Sequence, residues 1–78
     1  MDGYLKFDLI RRKPKTMVYL VESLKSGDSL GEIAWHGPWR RYVFSPYNDT
    51  IFDAACLGEI KNFVDKLMQE AKAAREVE

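Results

Sequence analysis

The chain has 78 residues, 46% of them hydrophobic and 31% charged, and its 12 basic residues are balanced by 12 acidic ones. That length suits one small domain, expected over residues 1–78, and a chain so short buries only about 60% of its unfolded surface. The composition excludes a disordered tail, and the neutral balance removes any global pull toward nucleic acid or an anionic membrane.

The first residues, Met1-Asp2-Gly3-Tyr4, carry an acid and no hydrophobic run, so no signal peptide is expected there. Residues 4–10 then alternate, with Leu5, Phe7 and Leu9 on one side and Lys6 and Asp8 on the other. A period of two predicts a half-buried strand. Arg11-Arg12-Lys13-Pro14-Lys15 is basic and contains a proline that cannot serve a central ladder, which predicts a loop. Residues 16–23 form a nearly continuous apolar run rich in β-branched and aromatic types, the mark of a central strand with contacts on both faces. Lys25 to Ser29 reads as a turn, with Gly27 able to adopt a positive φ.

Residues 30–36 and 39–45 predict two further strands, separated by Gly37-Pro38 and ended by Pro46. A tight turn over His36–Trp39 would set Trp35 opposite Arg40, Ile33 opposite Tyr42 and Gly31 opposite Phe44. Ile33, Tyr42 and Phe44 then make the core side, with the Phe44 ring covering the bare backbone of Gly31. His36, Ala34 and Glu32 share the other face with Trp39, Arg41 and Val43.

The last third predicts a helix capped by Asp53, with Asp49 or Thr50 helping in the preceding turn. Cys56, Leu57, Ile60, Phe63, Val64, Leu67, Met68 and Ala71 recur at three- and four-residue spacing and make one apolar stripe. Gly58, costly in a helix by about 1 kcal/mol, suggests either close packing or a short first turn. Beyond Ala71 the apolar content thins to alanine, which predicts a fraying end. The expected fold is therefore α+β: an antiparallel meander of three to four strands with one C-terminal helix packed on one face.

Little here supports chemistry. Cys56 is the single cysteine and His36 the single histidine. One cysteine excludes an internal disulfide, suits a reducing compartment, and on an apolar stripe behaves as a small core residue. One histidine and one cysteine lack the clustered partners that zinc requires. Glu22, Asp28, Glu32, Asp49 and Asp53 fall on solvent-facing or turn positions, and no glycine-rich phosphate loop occurs in a strand–turn–helix setting. No catalytic residues, cofactor or metal are expected, and the chain is read as a non-enzyme. No apolar run nears the ~20 residues that span a bilayer, so a cytoplasmic protein with no membrane partner is expected.

Trp35-His36-Gly37-Pro38-Trp39-Arg40-Arg41-Tyr42 is the segment rich enough to bind something. Trp39, Arg40, Arg41 and His36 are the candidate partner-binding residues. Tryptophan and arginine are enriched at protein–protein hot spots, and aromatics beside arginines are also what stacking on unpaired bases requires. A third reading is purely structural, with Trp35 and Tyr42 filling the core and Trp39 capping its end. Another protein is the favoured partner, single-stranded nucleic acid the alternative, and either a monomer or a homodimer is compatible.

The string from Leu30 to Pro46 resembles a pattern in small uncharacterised proteins of phages and mobile elements. There, Leu-Gly-x-Ile-x-Trp, a short turn, Trp-Arg-x-Tyr-x-Phe-x-Pro and a helix follow one another. Thr50-Ile51-Phe52 leading into Leu57, Ile60 and Phe63 is similar to their C-terminal half, so the resemblance covers about residues 16–68. It implies a phage or prophage accessory protein and assigns no functional residue.

Overall fold

The computed structural model describes residues 3–77. Four strands, β1 (Leu5–Arg12), β2 (Met17–Ser23), β3 (Ser29–His36) and β4 (Arg41–Pro46), precede one helix, α1 (Ala54–Val77). The strands form one antiparallel sheet in the order β1-β2-β3-β4, the meander that their short connections favour.

β1 runs further than its alternation implies. Arg11 and Arg12 belong to the strand, opposite Val18 and Met17, and not to a loop. The reason is a bulge between Leu9 and Arg11, which inserts Ile10 and shifts the phase by one. Arg11 thereby moves to the face of the sheet away from the helix, and the turn shrinks to Pro14-Lys15, closed by the Lys13 N–H donating to the Thr16 carbonyl at 2.8 Å. The β2–β3 connection turns through Gly27, whose φ of 78° is the left-handed value expected of glycine there.

The β3–β4 hairpin closes one step later than expected. Gly37–Trp39 form a 3₁₀ turn and Arg40 takes a left-handed conformation, φ 54°, with its N–H donating to the Gly37 carbonyl. His36 therefore pairs with Arg41, Trp35 with Tyr42, Ile33 with Phe44 and Gly31 with Pro46. Each partner is displaced by two positions, which keeps Arg41 to Phe44 on their expected faces, while Trp39 and Arg40 pass from the strand into the turn. Ile33, Tyr42 and Phe44 do share the core side, and Phe44 covers Gly31 from the diagonal position.

The core joins Leu5, Val21, Ile33 and Tyr42 of the sheet to Ile60 and Leu67 of α1. Phe7 stacks on Phe63 with centroids 4.2 Å apart, and Tyr19 meets Phe63 edge-on at 4.8 Å. Tyr42 ties three elements together: its hydroxyl accepts the Met17 N–H of β2, while its own N–H donates to Met68 Sδ of α1 at 3.2 Å.

Asp53 caps α1 as expected, its carboxylate accepting the Cys56 N–H at 2.9 Å. That bond holds the Asp53 carboxyl below its ordinary range. Glu59 reaches back to the Tyr4 and Leu5 N–H groups. α1 thus passes the start of β1 at Glu59 and reaches Tyr42 of β4 at Met68, crossing the sheet diagonally. Leu57 is exposed although its spacing places it on the stripe, because the face turned to the sheet runs through Cys56, Ile60, Phe63 and Leu67 and leaves Leu57 at its margin. The helix continues past Ala71 to Val77, through lysine, alanine and arginine, which are good helix formers.

Gly58 has open space around the position a Cβ would take, so close packing is not the reason for it. Gly58→Ala should stabilise the protein by about 0.5–1 kcal/mol, measured as a rise in the urea midpoint. A fall would show that the first turn needs glycine.

Candidate functional site

In a meander the first and third turns lie at the same end of the sheet. Here those are the turn after β1, with Lys13 and Lys15, and the turn before β4, with Trp39 and Arg40. They stand about two strand spacings, roughly 10 Å, apart. Arg11, Arg12, Lys13, Lys15, Arg40 and Arg41 are all exposed at this end. No acid lies between Asp8 and Glu22, or between Glu32 and Asp49. α1 rises past Met68 toward the same end and adds Glu70 and Lys72, which offset one another. A chain with zero net charge thus carries one cationic pole.

Trp39, Arg40 and Arg41 are exposed together, and Trp39 keeps 64% of its surface in solvent. The local geometry is built by the turn. His36, half-buried at the end of β3, meets the Trp39 ring edge-on at 4.9 Å, and Arg41 Nε donates to the Trp39 carbonyl at 3.3 Å. The left-handed Arg40 swings the chain back into β4, so its side chain leaves the sheet at the apex. Trp35 behaves differently, half-buried with its ring edge-on to Tyr42 at 5.4 Å. The four candidate residues therefore come together, with Trp35 given over to packing.

Other combinations do not form. Cys56 sits at the start of α1, level with the beginning of β1, while His36 stands at the opposite end of the sheet. Burial and the neighbouring Asp53 raise the Cys56 thiol, the reverse of what activates a nucleophile. Glu32 accepts the Tyr47 hydroxyl at 2.8 Å, which raises the Tyr47 phenol. Among the described residues, no three His, Cys, Asp or Glu side chains gather as metal ligands, and no helix is long and apolar enough to cross a membrane.

From the sequence, the basic stretch 11–15 adds to the hairpin surface only if the two lie side by side, and the strand order brings them to the same end of the sheet. The signal lay in the strand order, since any four-stranded meander brings these two turns to one end.

A four-stranded meander under a single diagonal helix, with an aromatic and cationic hairpin end, defines a small α+β protein. The chain belongs to the same family as an uncharacterized 9.3 kDa protein of Acholeplasma phage L2, to which it is 35% identical over 71 residues, 88% of this chain and 90% of the phage protein. The resemblance carried by Leu30 to Pro46 thus agrees with a small uncharacterised phage protein. No family model matches the chain, and no solved structure matches it.

Proposed function

We propose that this is a non-catalytic accessory protein of phage type that acts in the cytoplasm by contact with another protein. The joint exposure of Trp39, Arg40 and Arg41 carries this reading. A tryptophan ring contributes about 150–250 Å² to a contact, and tryptophan and arginine dominate interface hot spots. The surrounding cations favour an acidic surface on the partner and would speed the encounter. Membership in a phage protein family supports an accessory role.

The cationic pole favours a second reading, binding of single-stranded nucleic acid, with Trp39 stacking on a base. The two separate by salt and by probe. Under the leading reading, the tagged protein captures a host protein from lysate, and Trp39→Ala and Arg41→Ala each abolish the capture. The unfolding midpoint should move by less than the equivalent of about 0.5 kcal/mol for these exposed side chains. Unstructured oligonucleotides should bind negligibly. Sub-micromolar oligonucleotide binding that falls by about 0.7 log units per phosphate contact for each tenfold rise in salt, and is lost with Trp39, would reverse the order.

A further inference from the structure

The two edges of the sheet are finished differently. On β4 the helix packs alongside, Met68 Sδ takes the outward N–H of Tyr42, and Pro46 has no N–H to offer. That edge is closed to another strand. β1 is not. The Leu24 N–H donates to the Tyr4 carbonyl, and Leu5 sends its N–H outward to Glu59. With strand periodicity, Phe7 and Leu9 then also turn their N–H and carbonyl groups outward, where the diagonal course of α1 has left this edge behind.

Residues 4–10 read the same in both directions by chemical type. Around Phe7 the order is apolar, apolar, charged, then charged, apolar, apolar: Tyr4, Leu5, Lys6, then Asp8, Leu9, Ile10. An antiparallel copy aligned on Phe7 would set Lys6 against Asp8, Leu5 against Leu9 and Tyr4 against Ile10. The bulge begins where this symmetry ends. Tyr4 is 61% exposed, Leu9 41% and Ile10 49%, apolar surface that the monomer leaves uncovered.

We infer that β1 pairs with β1 of a second copy, about a two-fold axis through Phe7, to give a continuous eight-stranded sheet. The Phe7 groups exchange two hydrogen bonds, each Leu9 N–H reaches the partner's Leu5 carbonyl, and the partner's Leu9 carbonyl takes the Leu5 N–H in place of Glu59, which keeps the Tyr4 N–H. Charges on an edge strand ordinarily repel strangers. In this register they select the same sequence, as an isologous interface requires. Lys6 and Asp8, 3.5 Å apart within one strand, would each gain a partner across the seam. The surface is separate from the hairpin end, so its failure would leave the proposed function standing.

Sedimentation velocity over a concentration series tests this on the full chain. The wild type should pass from monomer to dimer as concentration rises. Lys6→Asp and Asp8→Lys each place like charges opposite one another twice, and each should weaken the dimer by roughly tenfold or more. An equimolar mixture of the two variants should restore it as a heterodimer, and Lys6→Asp/Asp8→Lys should dimerise alone. Leu9→Pro removes the outward donor while sparing the ladder to β2, and should be monomeric with wild-type circular dichroism. A wild type that stays monomeric at every concentration would overturn the proposal. So would a dimer indifferent to all of these changes, or variants that fail to recombine.

Discussion

Ile33→Ala should lower the stability by about 2–5 kcal/mol, the range for truncating a fully buried isoleucine. Ile33 has no exposed surface, sits on an inner strand between Tyr19 and Phe44, and shares the buried core with Ile60 and Leu67 of α1. Its loss opens a cavity walled by two strands and a helix, none of which can collapse without disturbing the others. At about 0.05–0.15 kcal/mol per residue, a chain of 78 residues holds only about 4–12 kcal/mol in total. This one side chain therefore accounts for a large share of the margin. Urea denaturation should show a lowered midpoint with an unchanged slope. Leu57→Ala, a residue of the same apolar spacing that the structure leaves in solvent, should change the stability by no more than about 0.5 kcal/mol. Equal effects from the two would mean that α1 sits differently on the sheet.

That comparison marks how far the sequence could be read. The alternation of residues 4–10, the apolar run in 16–23 and the helical stripe each reflect a local period, and each produced its element. The cap at Asp53 was legible for the same reason, because an N-cap needs only its own turn. The misplacements all came from non-local geometry. The bulge at Ile10 depends on pairing with β2, so nothing in Arg11 or Arg12 alone reveals that they continue the strand. The two-position offset of β4 depends on Arg40 adopting a left-handed conformation that arginine only rarely takes. Leu57 is exposed because the helix turns the line through Cys56, Ile60, Phe63 and Leu67 to the sheet, and spacing alone does not say which edge of a wide stripe is left out.

The candidate site followed the same division. That Trp39, Arg40 and Arg41 share a turn was readable, since they are adjacent. That Arg11 to Lys15 stand beside them was readable only through the order of the strands. The absence of any acid from both stretches was visible in the sequence, yet it gained meaning only when the meander placed the stretches at one end.

Gly31→Ala should be destabilising, by about 1–3 kcal/mol as overpacking of a tight site usually is, although glycine is intrinsically the poorer strand residue. A Cβ at this position would lie 2.5 Å from the Ser45 carbonyl oxygen and 2.8 Å from Pro46 Cα, both backbone atoms of the paired strand. It would also lie 2.8 Å from Cε1 of Phe44, whose ring is held edge-on against Phe52 at 5.3 Å. The far end of a flexible side chain would yield, but here β4 itself would have to move away from β3. Such a shift would strain the ladder just below Phe44 and Ile33, where the core is most tightly closed. The same replacement at Gly58, where no atom stands in the way, is expected to act in the opposite direction. A pair of glycine-to-alanine variants with opposite signs on one small chain separates local propensity from the space the fold leaves. A Gly31→Ala midpoint at or above that of the wild type would show that β4 does not approach β3 this closely.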